Sequence, residues 1–163
     1  MRILCCLDGT NVELVTRAIG TLLRTEERTI GVLYVTDSGP REEMEQQRER
    51  HLRPSRPPIL RREQMQRVEG MAAREILEEG SRALGGAEML QRAGRPEREI
   101  IQAAMEWLAD VIVVCSRASA SGGPPLGPKS VGHVARFVLD HSPCPVLLVR
   151  PPTNTAGRLS PQL

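Results

Sequence analysis

The sequence predicts one α/β domain, built on an open parallel sheet of five strands with helices on both faces. Short apolar runs alternate with stretches of helical periodicity along the 163 residues, in the order βαβαβαβαβ. The run Val111–Val114 is an unbroken β-branched series, which is typical of a strand covered on both faces. With right-handed crossovers and strand order 3-2-1-4-5, the ligand crevice lies between the first and fourth strands, beyond their carboxyl ends.

The first strand and the first helix are separated by a turn. The strand is predicted at Arg2–Leu7, and Asp8-Gly9 ends it. Thr10 and Glu13 have the spacing of a capping box. We therefore expect Thr10 to cap the helix, with the Glu13 side chain reaching back to it.

The second strand is followed by a charged excursion. Thr29–Val35 is rich in β-branched residues, as strands are. Residues 37–61 break the rhythm, with Asp37-Ser-Gly-Pro40 at the start and three prolines near the end. We interpret this segment as a solvated excursion, and a lid or a partner-binding loop is the alternative.

Two helices flank the third predicted strand. A long helix is predicted from Arg62 to Leu84, and Gly85-Gly86 ends it. The third strand is predicted at residues 87–93, and the next helix runs over Glu97–Leu108. The apolar face of the long helix is formed by Met65, Val68, Met71, Ala72, Ile76 and Leu77.

The last part of the chain contains a long loop and ends in a polar tail. The loop after the fourth strand is rich in serine, glycine and proline, and a helix over Val131–His141 follows it. Val146–Val149 is the fifth strand. We expect the domain to span residues 1–150 and residues 151–163 to form a disordered tail.

Composition excludes several classes of protein. The net charge is +2 and aromatic residues make up 2%, too few for a nucleic-acid-binding surface based on stacking. No apolar run reaches membrane-spanning length, and the N-terminus lacks the apolar stretch of a signal peptide, so we expect a cytoplasmic protein without membrane partners. The four cysteines show no zinc-site spacing. Buried free thiols are the favoured interpretation, and a regulated disulfide is the alternative.

The loop over residues 115–131 has features of an anion site. Its glycines allow backbone amides to approach a phosphate closely, and the helix that follows begins with free N–H groups. Arg117 and Lys129 add positive charge. The pattern therefore favours an anionic ligand, most simply the phosphate of a nucleotide.

From about Arg2 to Arg150 the chain resembles the universal stress proteins of the UspA type. The motifs that carry the resemblance are Asp8-Gly-Thr10, Leu33-Tyr-Val35, Gly94-Arg-Pro96 and the closing segment Gly132–Arg150 with its Pro-Cys-Pro-Val sequence. The resemblance implies a Rossmann-like fold of the adenine-nucleotide-binding type. It also implies a stress-response regulatory protein that binds ATP or another adenine nucleotide between strands 1 and 4.

The family's glycine motif is only partly present. Nucleotide-binding members carry G-x-x-G, nine residues, and a glycine followed by serine or threonine. Gly122 and Gly132 fit the second and third glycines, while Ser119 or Cys115, depending on the alignment, stands at the first. His133 stands where the hydroxyl residue would be.

By resemblance, Asp8 contacts the ribose, the Val35 backbone contacts the adenine, and Gly132 contacts a phosphate. Asp8 can also hold Mg²⁺ on that phosphate. From the residues alone, a turn former at Asp8 and a simple helix start at Gly132 remain alternatives. The nucleotide-binding set is Leu7, Asp8, Val35, Ser116, Arg117, Gly122, Lys129, Gly132, His133 and Val134.

The sequence leaves three functions open. The first is the nucleotide-binding regulator, and the alternative is a nucleotide-free dimeric scaffold or partner-binding module. An ATP-hydrolysing enzyme is the third, although the order of the residues implies no catalytic set. Val146–Val149 is an apolar edge strand, so we expect a homodimer through this strand, as the resemblance also implies.

Overall fold

The structure, a computed structural model, describes residues 1–23, 27–38, 59–116 and 131–151. Strands and helices alternate through these ranges, as the sequence predicts. The strands are β1 (Arg2–Leu7), β2 (Thr29–Asp37), β3 (Glu88–Gly94), β4 (Val111–Cys115) and β5 (Val146–Val149). The helices are α1 (Val12–Leu22), α2 (Ile59–Ala83), α3 (Pro96–Glu106) and α4 (His133–His141).

The five strands form one parallel sheet in the order β3-β2-β1-β4-β5, which confirms the predicted order. The central strand β1 pairs with β2 on one side and with β4 on the other. Because β2 and β3 extend the sheet in one direction and β4 and β5 in the other, the strand order reverses between β1 and β4. This reversal opens a crevice at the carboxyl ends of these strands.

Each face of the sheet carries its own apolar core. Side chains alternate between the faces, so Cys5 joins the core covered by α1 and α2, and Cys6 joins the core covered by α3 and α4. Ile19 of α1 and Val138 of α4 are almost fully buried, one in each core. The described residues of the helices therefore cover both faces of the sheet, as expected for its buried strands.

The buried face of helix α2 differs from the sequence-based prediction. It begins at Ile59 rather than at Arg62, and Met65, Val68 and Met71 are exposed. Burial begins at Ala73 and continues with Leu77. The reason is length: 25 residues of helix extend for about 37 Å, which exceeds the span of the strands beneath them.

The cap of α1 also differs from the prediction. The N-cap residue is Asn11, not Thr10, and no side chain caps the helix amides. The Asn11 side chain instead accepts a hydrogen bond from the Asp8 backbone N–H at 3.0 Å and donates one to the Cys6 carbonyl at 3.0 Å. Glu13 faces solvent and pairs with Arg17. Asn11 is 4% exposed, so the turn is stabilised from the interior rather than by a capping box.

Several predicted boundaries shift by a few residues. Strand β2 continues to Asp37, so the first residue of the predicted excursion belongs to the sheet. Helix α3 ends at Glu106, and α4 begins at His133 rather than at Val131. The rest of the excursion, at 39–58, and the predicted tail, at 152–163, lie outside the described residues. No helix within the described ranges is long and apolar enough to cross a membrane.

Candidate functional site

A cleft of about 470 Å³ opens at the carboxyl edge of the sheet. Its walls are the ends of β1, β2 and β4 and the first turns of α3 and α4. Its volume falls in the range of roughly 300–1,000 Å³ that is typical of small-molecule sites. The strand order reverses between β1 and β4, so the cleft lies where this type of sheet binds ligands.

The cleft brings together six of the ten residues that the sequence singled out. Their contacts with the cleft come from four different elements or turns, which tertiary folding places side by side. These residues are Leu7, Asp8, Val35, Gly132, His133 and Val134.

The other four residues divide into two groups. Ser116 is 6% exposed and does not line the cleft. Its backbone N–H donates to the Val149 carbonyl at 2.9 Å, so it is used in the pairing of β4 with β5. Arg117, Gly122 and Lys129 lie outside the described residues.

Asp8 is both a turn residue and an exposed carboxylate at the cleft. Its Oδ1 atom accepts hydrogen bonds from the Thr10 backbone N–H at 2.8 Å and from the Thr10 hydroxyl at 2.9 Å. This is the side-chain-to-backbone turn for which aspartate is favoured. The carboxylate is thereby held in a defined direction, with Oδ1 committed to the turn.

Cys115 ends β4 beside the Asp8 turn and stands at one of the two positions aligned with the first motif glycine. Burial raises the pKa of the Cys115 thiol, a hydrogen bond with the Asn11 side chain lowers it, and the nearby charge of Asp8 raises it. The balance keeps the thiol protonated. Cys115 therefore contributes a neutral, half-buried side chain to the cleft wall.

The end of β2 leaves a backbone edge open toward the cleft. The last pair between β1 and β2 is Leu7 with Tyr34, whereas β2 continues to pair with β3 as far as Asp37. At Val35 and Thr36, the side of β2 that faces β1 has no strand partner within the described residues. A ligand with donors and acceptors on one edge can pair with this segment.

The first turn of α4 presents backbone amides to the cleft. Gly132 precedes the helix with φ 86° and ψ 157°, a conformation that is essentially limited to glycine. Within the described residues no side chain caps this end, and the first intrahelical hydrogen bond runs from the Arg136 N–H to the Gly132 carbonyl. Glycine is thus required here by the backbone itself, and the helix leaves the amides before Arg136 unused, as an anion site requires.

Glu97, in the first turn of α3, is a cleft residue that the sequence did not reveal. It is 9% exposed, lines the cleft, and lies 3.7 Å from His133, measured between Glu97 Oε1 and His133 Nε2. An acidic residue just after Pro96 is ordinary at a helix start, so its type alone carries no signal. The crevice rule drew attention only to the loops after the first and fourth strands, whereas α3 follows the third.

Asn11 was missed for a different reason. The spacing of Thr10 and Glu13 made Thr10 the expected cap, yet the buried amide of Asn11 joins β1 to the Asp8 turn. The signal that the sequence does contain is an asparagine close after an Asp-Gly turn, where its side chain can bond to nearby backbone. Among the residues that the structure describes, no group of three or more His, Cys, Asp or Glu side chains is arranged to hold a metal ion.

A match to a family model that spans all the strands and helices described above identifies the family of the chain. Residues 1–150 match the model of the universal stress protein family. The chain belongs to this family. The parallel sheet in the order 3-2-1-4-5 is the architecture expected from the resemblance. No curated protein sequence matches this universal stress protein.

Solved structures of universal stress proteins share the fold. UspA from Lactobacillus plantarum is 19% identical, with a TM-score of 0.64 over 92% of this chain and 97% of that chain. A universal stress protein from Arabidopsis thaliana, solved with AMP bound, is 15% identical, with a TM-score of 0.60 over 97% and 96%. Another, solved in complex with cAMP, is 18% identical, with a TM-score of 0.52 over 92% and 96%. At these identities the likeness shows the common fold.

Proposed function

We propose that this universal stress protein is a regulatory protein that binds an adenine nucleotide in the cleft between β1 and β4. The observation that carries the proposal is the cleft itself, which joins an open backbone edge, an oriented carboxylate and uncapped helix amides. Two family members of the same fold were solved with AMP and with cAMP. Their ligands support the adenine class for this cleft.

Each part of an adenine nucleotide has a matching group in the cleft. The base pairs with the backbone of Val35, where β2 extends beyond β1. The ribose hydroxyls donate to the Asp8 carboxylate, which the Thr10 bonds hold in place. The phosphate accepts hydrogen bonds from the amides of His133 and Val134 at the start of α4. Mg²⁺ bound to the phosphates would take Asp8 as its protein ligand.

The regulatory role rests on the kind of groups that the cleft offers. Backbone amides, the carboxylates of Asp8, Asp37 and Glu97, and apolar walls line the described part of the cleft, whereas phosphoryl transfer also requires a nucleophile or a water-orienting base positioned at the transferred phosphate. We therefore propose that nucleotide occupancy is the signal that the protein carries. An ATP-hydrolysing enzyme would instead release phosphate at a rate that rises with protein concentration.

Thermal unfolding with AMP, cAMP and ATP at millimolar concentration, with and without Mg²⁺, tests the proposal. A ligand at 100 times its Kd adds about 2.7 kcal/mol to the free energy of unfolding, so binding raises the Tm measurably. Titration calorimetry then gives the affinities. The phosphate assay is run on the same samples.

The variant Gly132→Val tests where the nucleotide binds. Valine cannot adopt the Gly132 backbone conformation without strain, and its side chain blocks close approach of a phosphate. We expect the AMP affinity of the variant to fall at least about tenfold, which corresponds to a loss of about 1.4 kcal/mol in binding free energy. Gly20→Val is the matched control, because Gly20 lies on α1 and a Cβ added there has nothing within 4 Å.

The outcomes separate the candidate functions. Equal AMP affinity in Gly132→Val and Gly20→Val would place any binding elsewhere. No Tm shift with any adenine compound would favour the nucleotide-free scaffold, which keeps the fold but uses its surface. Steady phosphate release that Gly132→Val abolishes would establish the enzyme.

A further inference from the structure

Glu97 is a buried carboxylate whose ion-pair partner is distant and exposed. Its side chain is 12% exposed and lines the cleft. The partner is His133, at 3.7 Å, which is longer than a hydrogen bond, and the His133 side chain is 78% exposed. Burying a charge beside so weak a partner costs free energy. A ligand bound next to Glu97 therefore either leaves this cost in place or reduces it by donating a hydrogen bond to the carboxylate.

The charge of Glu97 is stabilised by its own helix. Glu97 directly follows Pro96, the first residue of α3, so it lies at the positive end of that helix dipole. The contact with His133 places it beside the first residue of α4. Glu97 therefore places a negative charge in the same cleft as the first turn of α4, whose amides are offered to a phosphate.

The other charges on the described part of the cleft wall do not reverse this effect. Asp8 adds a second, exposed carboxylate to the wall, and none of the described lining residues is lysine or arginine. Charges act strongly on one another in a cleft partly shielded from water. The cost to a bound ligand grows with the number of its phosphates.

We propose that Glu97 is a specificity-determining residue that selects adenine ligands of low negative charge, namely adenosine and cyclic or single-phosphate nucleotides, against ATP. This inference rests on the proposed adenine site. The carboxylate repels additional phosphates from the first turn of α4, whereas the sugar and base retain their contacts with Asp8 and Val35. Charge is the basis of this proposed selection.

Titration calorimetry of the full chain with adenosine, cAMP, AMP and ATP at constant ionic strength tests this inference. In the unmodified protein we expect ATP to bind more weakly than adenosine, cAMP and AMP. Glu97→Gln keeps the shape of the side chain, removes its charge and replaces one acceptor oxygen by an NH₂ donor. We expect it to raise the ATP affinity at least about tenfold, the AMP affinity less, and the adenosine affinity by less than about twofold.

Asp140→Asn is the matched control. Asp140 lies exposed on α4 and does not line the cleft, so this variant changes the net charge equally and should leave all four affinities unchanged. A second measurement needs no variant. Because salt screens repulsion, raising the KCl concentration should increase the ATP affinity of the unmodified protein relative to adenosine.

The outcomes distinguish this inference from the proposed function. ATP affinity that equals or exceeds adenosine affinity, falls with salt and is unchanged in Glu97→Gln would overturn the role of Glu97 and leave the adenine site standing. Absence of binding by all four compounds, adenosine included, would overturn the adenine site and the inference with it. ATP binding that appears only in Glu97→Gln would support both.

Discussion

Two neighbouring cysteines on the central strand illustrate how burial changes the chemistry of a residue. Cys5 and Cys6 point to opposite faces of the sheet, and both are buried. Burial, with a smaller contribution from the nearby Cys115, raises the pKa of Cys5 to about 12. Burial and then the neighbouring thiols Cys5 and Cys115 raise the pKa of Cys6 well above its ordinary value. All four cysteines are free, so these two thiols act as apolar core residues.

The raised pKa of Cys5 predicts a loss of stability at alkaline pH. The unfolded chain loses this proton near pH 9, whereas the folded chain keeps it until about pH 12, so the stability that is full below pH 9 declines as the pH rises toward 12. Between about pH 8 and pH 10 Cys5 alone should cost about 1.4 kcal/mol of unfolding free energy. Urea unfolding of the protein and of Cys5→Ala at both pH values measures this difference.

The comparison with Cys5→Ala isolates one group from all others that titrate. The variant is less stable at the lower pH because it loses buried volume. The decisive quantity is the change between the two pH values, which should be smaller in Cys5→Ala. An identical alkaline decline in both proteins would contradict the role given to Cys5.

At the scale of elements, close packing of α2 on β1 depends on a missing side chain. Gly80 is buried, and a Cβ added there would overlap the Leu7 side chain, which ends β1 and lines the cleft. Helix α2 therefore packs against the end of β1 at the cleft, on the face of the sheet opposite to α3 and α4. Ile76, one turn earlier, lies against the position of Gly9 in the turn that carries Asp8.

Gly80→Val should destabilise the protein by roughly 1–3 kcal/mol, because overpacking forces Leu7 or the helix to move. Gly70→Val on the same helix is the control: nothing lies within 4 Å of a Cβ there, and we expect a change within about 0.5 kcal/mol. Chemical unfolding of the two variants gives both numbers. If both variants lose the same free energy of unfolding, the loss comes from placing valine in the helix and not from the contact of α2 with β1.

At the scale of the whole molecule, β5 forms one edge of the sheet, and none of the described strands pairs with its outer side. The Ile112 N–H donates to the Pro145 carbonyl and the Ser116 N–H to the Val149 carbonyl, so alternate residues of β5 face β4. By this alternation the backbone groups of Val146 and Leu148 face outward. An apolar edge with open hydrogen-bonding groups favours pairing with another chain.

We propose that two copies pair through β5, with two-fold symmetry. Leu148→Pro removes an outward N–H, whereas proline at Leu147 would remove an N–H that faces β4 and damage the domain itself. Sedimentation at tens of micromolar should show a dimer for the unmodified protein and a monomer for Leu148→Pro, with unchanged circular dichroism as the control. A monomer in the unmodified protein contradicts the proposal.

Sequence patterns were sufficient for the fold because each element depends on local periodicity. The alternation of strands and helices predicted β1 and β5 at their observed bounds, and the crevice rule predicted that Asp8 and Gly132 lie at one cleft. The strand pattern repeats every two residues and the helix pattern every three to four, and the position of the cleft follows from the strand order. A single sequence is enough to read them.

Features that depend on neighbours distant in the chain required the tertiary structure. The apolar stripe runs along the whole of α2, but only the half that lies over the sheet is buried. Met65 is therefore exposed and Leu77 is buried, although both belong to the same stripe. Glu97 belongs to the cleft only because α3 and α4 converge, which brings it 3.7 Å from His133. The sequence by itself determined the order of the elements and the edge of the sheet at which a ligand would bind. The tertiary structure decided which charges meet there, because electrostatic interactions depend on distance in space and not on separation along the chain.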